Sequence, residues 1–168
     1  MRVAVTGTPG TGKTTAVDRL ETSLEVVHLN EYIRKAGLDD GTDPERGSLL
    51  ADLGAVRERL GDREDVLIES HLAHHLRADR VVVLRCHPER VRARLLERGE
   101  SEATAEENAE AEALDVVLSA AVETHGLESV YEIDTTDRTP DAVAEAIATV
   151  LSGERDPTAG EVSFLEYV

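Results

Sequence analysis

Short apolar runs and amphipathic stretches take turns along this chain. Residues 2–6 (RVAVT), 25–29 (EVVHL), 65–69 (DVLIE), 80–86 (RVVVLRC) and 129–134 (SVYEID) are compact and rich in β-branched side chains. Runs this short, with little polar alternation, predict strands buried on both faces. Between them the apolar period lengthens. Helices are predicted from 13 to about 22, from a cap at Asn30 to about 36, over 49–60, from Pro88 to Gly99, and through most of 101–126. A last amphipathic helix covers 139–151, with Thr139 or Asp141 at its start. Pro88 suits a first helical turn and Gly99 a helix stop. The segment 37–48 (GLDDGTDPERGS) is glycine-rich and acidic, and predicts a mobile loop. The tail, 152–168, is polar and then mildly apolar, and its pattern decides neither for disorder nor for docking.

Strands alternating with helices imply parallel β–α units, with helices on both faces of one sheet. A chain of 168 residues suits one domain with a real core. Aromatic residues make up only 2%, so that core must be built from Val, Leu, Ile and Ala.

Charge changes the picture. Asp and Glu number 35 against 18 Lys and Arg, a formal net charge of −17, and Lys13 and Lys35 are the only lysines. Such a surface repels itself at low salt and is screened at high salt, where the Debye length falls to about 3 Å at 1 M. We therefore expect a protein adapted to a salty cytoplasm; equal stability in low and molar KCl would refute that. The balance argues against binding naked nucleic acid, which needs a basic face. The single Cys86 excludes an internal disulfide and fits a reduced cytoplasmic setting. The N-terminus reaches turn residues too early for a secretory leader. No apolar run approaches the roughly 20 residues of a membrane span.

The first strand runs into Gly7-Thr8-Pro9-Gly10-Thr11-Gly12-Lys13-Thr14, a full G-x-x-x-x-G-K-[ST] match, and a helix follows at once. Strand before and helix after is the context this motif requires. Its glycines let successive backbone N–H groups face a phosphate, and the helix N-terminus adds partial positive charge. Lys13 is placed to reach the β- and γ-phosphates of a nucleoside triphosphate, Thr14 to bind Mg²⁺, and Thr15 to meet the α-phosphate. Gly10, Thr11 and Gly12 complete the cradle.

The motif does not say what receives the phosphate. Glu69 ends the third predicted strand, where P-loop enzymes place a carboxylate for the metal or its water. Behind it come His71, His74 and His75. The first and last have the spacing of a zinc-binding helix, but Leu72 follows His71 where such a motif carries glutamate, and no Cys is near. His74 and His75 read as solvent-facing; His71, two residues past Glu69, is the one aimed at chemistry. Arg90, Arg94 and Arg98 recur every four residues on one helix face. Arg90 has Glu89 and Glu97 as candidate intrahelical partners. Arg94 and Arg98 read as a phosphate clamp, since phosphoryl transfer is mostly positioning and charge stabilisation.

These residues carry a family. GTPGTGKTT, a strand ending in acid-x-His, and RLLERG followed by ENAEAE resemble the adenylate kinase isoenzyme six family over residues 1–151. The resemblance implies a three-layer α/β P-loop fold: a five-stranded, mainly parallel sheet flanked by helices, with a short lid. It implies one kinase domain over 1–151, with the monophosphate bound around 30–53 and a lid at about 99–109, and with 152–168 left as a tail. Gly10, Gly12, Lys13, Thr14 and Thr15 would bind ATP with Mg²⁺, and Arg98 at the lid base would touch it. Arg34, on the first helix of the monophosphate region, is the candidate for the AMP phosphate. The family phosphorylates nucleoside monophosphates, AMP above all, hydrolyses ATP, and serves late small-ribosomal-subunit maturation through a platform ribosomal protein. A cytoplasmic monomer is expected. One departure stands out: the family pattern is Asp-x-His, whereas this chain has Glu69-Ser70-His71. The extra methylene carries the carboxylate about 1.5 Å further.

Three readings follow. One is a kinase, ATP plus AMP giving two ADP. Another is an ATP-driven assembly factor, in which His71 and Glu69 orient the hydrolytic water. The third is a kinase for another small phosphate acceptor.

Overall fold

All five apolar runs lie in one parallel sheet. In the computed structural model, residues 1–42 and 49–168 are described, with backbone alone for 40–42 and 49–50. The elements are β1 (Arg2–Thr6), α1 (Lys13–Asp18), β2 (Glu25–His28), α2 (Leu29–Ala36), β3 (Asp39–Thr42), β4 (Leu49–Ala51), α3 (Leu53–Leu60), β5 (Val66–Glu69), β6 (Arg80–Arg85), α4 (Pro88–Glu97), α5 (Glu102–Ala113), α6 (Val116–His125), β7 (Val130–Asp134) and α7 (Pro140–Leu151). The sheet order is β2-β5-β1-β6-β7, and every neighbouring pair is parallel.

Successive side chains of a strand point to opposite faces, and the core divides accordingly. Val3, Val5, Val82, Leu84 and Ile133 pack with Ala16, Val17 and Ile147 of α1 and α7. Ala4, Ile68, Val81 and Val83 face the other way, onto Ile33, Val56, Leu118 and Ala121 of α2, α3 and α6. A small third cluster of Cys86, Val91, Leu95 and Ala105 joins α4 to α5. The three-layer expectation holds, on an aliphatic core.

Several boundaries moved, each for a visible reason. The stretch 49–60 does not start as a helix. Leu49–Ala51 pairs antiparallel with β3, and α3 begins only after Asp52, whose side chain accepts the Ala55 N–H at 3.0 Å. The segment read as a mobile loop therefore carries β3; residues 43–48 lie outside the described residues. The stretch 101–126 breaks at Asp115, which adopts a left-handed conformation (φ 56°) and pairs with the Arg85 guanidinium. α1 stops at Asp18 rather than near 22. The cap of α2 is His28, not Asn30.

The tail docks. Thr158 forms a parallel bridge with Tyr131 beside β7, and Phe164 is buried, 7% exposed. Among the described residues, no helix is long and apolar enough to cross a membrane.

Candidate functional site

The loop after β1 is shaped by close packing. Gly7 lies so near β6 that a Cβ there would stand 2.6 Å from the Leu84 carbonyl oxygen, so only glycine fits. Gly12 enters α1 with φ 90°, a conformation that favours glycine. Lys13 is buried, 7% exposed, and its Nζ donates to the carbonyls of Gly7 (2.8 Å) and Thr8 (3.0 Å). Burial pulls this amine down to about 8, while Glu69 and Glu112 act to hold it protonated.

Parallel register delivers the carboxylate. β5 lies beside β1, with Val5 opposite Glu69, and β2 lies beyond it, with His28 opposite Glu69. The loop and Glu69 thus emerge from adjacent strand ends. Thr14 Oγ1 donates to Glu69 Oε1 at 3.2 Å, and Glu69 Oε2 meets His28 Nδ1 at 2.8 Å. His28 Nε2 lies 3.2 Å from Asp18. The Glu69 hydrogen bond makes the His28 ring more basic than usual. The longer side chain thus spans from its strand to both the loop hydroxyl and His28. A hydroxyl and a carboxylate side by side are hard oxygen donors, a set that fits Mg²⁺.

Lys13, Thr14, Glu69 and His71 share a cavity of about 110 Å³ with Asn30 and Arg98. Burial and the nearby Lys13 lower the His71 pKa to about 4, so the imidazole is neutral near pH 7. A second cavity, about 240 Å³, opens on the other side of Gly12, between Thr15, Arg94, Arg98 and Arg138. Arg98 is exposed and borders both cavities.

The arginine ridge divides into three jobs. Arg90 pairs with Asp137 (3.0 Å) across to the loop after β7, rather than with Glu89 or Glu97. Arg94 Nη1 donates to the Gly10 carbonyl at 3.0 Å and braces the phosphate loop from outside. Arg98 alone faces both cavities. Arg34 is exposed on the last turn of α2 and lines neither of these two cavities, nor a third that borders Thr14, His28 and Glu69.

His74 is a correction. It was expected on the surface, yet it is 3% exposed, with Nδ1 2.8 Å from the Thr6 hydroxyl and its carbonyl 2.8 Å from His125 Nε2. Its pKa falls to about 4, mainly through burial. His75 is half-buried beside it, with ring centroids 4.1 Å apart. The three histidines do not converge: His71 turns to the cavity beside Lys13 and His74 to β1.

Sequence reasoning missed four neighbours of the site. His28 and Asn30 sat in an ordinary strand-to-helix junction; Asn30 Oδ1 in fact accepts from Ser70 Oγ at 2.7 Å. Arg138 follows β7, where only the fold brings it to the loop. Glu112 Oε2 accepts the Thr8 hydroxyl at 2.6 Å. Its ENAEAE segment was a signal of resemblance without a role.

Comparison with known proteins agrees with this architecture. Residues 3–115 match the AAA domain family. A Natronomonas pharaonis protein described as "Putative adenylate kinase" is 66% identical over 168 residues, covering 100% of both chains. Proteins with the same description from Halobacterium salinarum (60%, 100% of both chains) and Methanothermobacter thermautotrophicus (47%, 96% of both chains) are also similar. Among solved structures, a shikimate kinase from Bacteroides thetaiotaomicron superposes with a TM-score of 0.52 at 15% identity, over 90% of this chain and 98% of that one. That likeness concerns the fold alone.

Proposed function

Because the chain belongs to the AAA domain family and to the family of these archaeal adenylate kinase relatives, we propose that it is a nucleoside monophosphate kinase that transfers the γ-phosphate of ATP to AMP. The observation that carries the reading is the meeting of Thr14 and Glu69 at 3.2 Å in a cavity shared with Lys13 and Arg98. Backbone N–H groups of residues 10–15 cradle the triphosphate. The Lys13 amine leaves the loop carbonyls for phosphate oxygens. Thr14 and Glu69 would hold Mg²⁺, which when bound with ATP would offset the charge of the transferring group. Arg98 spans the two cavities and stabilises charge between donor and acceptor, with Arg94 keeping the loop in place. Arg34 is assigned to the AMP phosphate, within the monophosphate region 30–53. That phosphate is already an anionic nucleophile, so no side-chain base is needed.

The rest of the reading follows the resemblance to the isoenzyme six family. Residues 1–151 form the kinase domain, 99–109 its lid and 152–168 the tail, in a cytoplasmic monomer. The test is ADP production from ATP in molar KCl, with each nucleoside monophosphate and with none. AMP is expected to stimulate turnover most. Turnover indifferent to every monophosphate would reject the kinase.

A second reading, an ATP-hydrolysing factor in small-ribosomal-subunit maturation, is favoured by one observation. His71, neutral, shares the cavity of Lys13 and Glu69, where it can orient a water. The acidic surface suits a basic platform ribosomal protein. His71→Ala is expected to lose ATPase and keep AMP phosphorylation; equal loss of both would sink separate roles. Failure of the platform protein to co-purify in molar salt would count against the assembly role.

A further inference from the structure

Behind the phosphate loop lies a buried charge cluster that the proposed chemistry does not use. Glu112 is 2% exposed and sits near the end of α5. Its Oε2 accepts the Thr8 hydroxyl at 2.6 Å, and its Oε1 accepts Arg85 Nε at 2.8 Å and the Cys86 N–H at 3.0 Å. Arg85, 1% exposed, also donates to Glu132 at 2.6 Å and to Asp115. The tail closes the cluster. Glu132 Oε1 accepts the N–H groups of Glu161 (2.9 Å) and Val162 (3.0 Å), and the Phe164 ring lies 5.5 Å from the guanidinium carbon. No buried side-chain nitrogen or oxygen among the described residues lacks a partner.

Balancing Arg85 does not require the Thr8 contact, because Glu132 and Asp115 already face the guanidinium. What that contact does concerns the loop. The Thr8 carbonyl accepts from Lys13 Nζ (3.0 Å) and Thr11 Oγ1 (2.9 Å), so Thr8 orients the groups that meet phosphate. Its hydroxyl is held by a carboxylate that is itself locked by Arg85 and a backbone N–H. A charge-assisted hydrogen bond of this kind is stronger and more directional than a neutral one. Glu112 also belongs to the helix that follows Arg98 and Gly99, so one residue joins the loop to the region assigned as the lid.

We propose that Glu112 is a positioning residue: through the Thr8 hydroxyl it sets the nucleotide-ready shape of the phosphate loop, in a cluster that the docked tail completes. The inference rests on the nucleotide reading of the loop, but not on which acceptor takes the phosphate.

The test is equilibrium ATP binding at 25 °C in molar KCl, by calorimetry, for the full chain and three variants. Thr8→Val removes the donor at nearly constant volume and is expected to raise the ATP Kd about tenfold; because it leaves a buried Glu112 oxygen without its partner, it is expected to lower the urea midpoint as well. Thr8→Ser restores the hydroxyl and most of the affinity. Glu112→Asp keeps the charge for Arg85 but withdraws it from Thr8, and is expected to weaken ATP as Thr8→Val does. It reads the same tie if Thr8→Val fails to fold. A merely structural contact would move the midpoint and leave Kd alone. Parent-like Kd in Thr8→Val or Glu112→Asp overturns the proposal, as does a Thr8→Ser no better than Thr8→Val. Parent chain that binds ATP without AMP-stimulated turnover would sink the kinase reading while these Kd values still decide this one. Parent chain that binds no ATP would sink both.

Discussion

Glu69 and Glu112 approach the phosphate loop from opposite sides of β1, and each accepts a hydrogen bond from one of its threonines. Both are buried, at 6% and 2% exposure. Their surroundings separate them. Glu112 has its oxygens filled by Arg85, the Cys86 N–H and Thr8, and none is left for a ligand. Glu69 is held by Thr14 and by His28, opens onto the cavity beside Lys13, and among the described residues has no arginine within ion-pair distance. The lesson is that burial does not assign a carboxylate its job; the strength of its partners does. Glu112 is fully engaged in the cluster behind the loop, whereas Glu69 lines the cavity shared with Lys13 and Arg98.

The comparison breaks most sharply at Arg85. Arg85→Ala leaves Glu112 and Glu132 as buried charges without their cation, a loss of about 3–5 kcal/mol. Urea unfolding in molar KCl measures it; a loss below about 1 kcal/mol would mean the cluster is not the anchor described. Glu69→Gln is the opposite case. The amide can still accept from Thr14 but gives up the charge-assisted bond to His28, so stability is expected to fall by about 1–2 kcal/mol, less than for Arg85→Ala. AMP-dependent turnover is expected to fall about 100-fold, near the cost of losing one charge-stabilising group. If Glu69→Gln unfolds the protein and Arg85→Ala does not, the assignment is reversed.

A third prediction concerns pH. His74 is neutral in the folded protein with a pKa of about 4, mainly through burial, with His71, His75, His125 and Lys13 adding to the effect. The unfolded chain takes up that proton near 6.5. Between pH 6.5 and 4 the unfolded state therefore binds more protons, and stability falls as pH falls. The loss from His74 is roughly 3 kcal/mol, complete only below pH 4. The Tm of His74→Gln is expected to vary less across this window than that of the parent; identical profiles would remove His74 as a contributor. The smallest effect is at the tail. Phe164→Leu removes the ring over Arg85 and is expected to cost about 1 kcal/mol, read as a small shift in urea midpoint. An effect as large as that of Arg85→Ala would make Phe164 a core anchor rather than a cover.

Much of the site was legible in one dimension, because its signals are contiguous. Residues 7–15 carry loop, helix start, lysine and hydroxyls in one run, and their flanking strand and helix are equally local. Glu69 was legible as a strand end. His71 was singled out by its distance from Glu69, and it lies in the expected cavity. Periodicity put Arg94 on the face that lines the cavity with Thr15 and Arg98, but could not show that it also donates to the Gly10 carbonyl. His74 was misread because a short polar run after a strand usually faces water, whereas Ala73–His75 forms a single 3-10 turn packed on β1 and α6.

The sequence by itself determined the five strands, the parallel sheet and the phosphate loop, since each follows from side-chain periodicity or from residues adjacent in the chain. Tertiary structure alone decided which charged groups became neighbours. Thr8 meets Glu112 across 104 positions, and Arg85 meets the tail at Val162 across 77. No local pattern encodes such contacts, because strand order and helix packing create them only once the sheet has closed over its core. That order also decided that, of two glutamates bonded to the same loop, Glu112 is locked by an arginine and Glu69 opens onto the cavity beside Lys13.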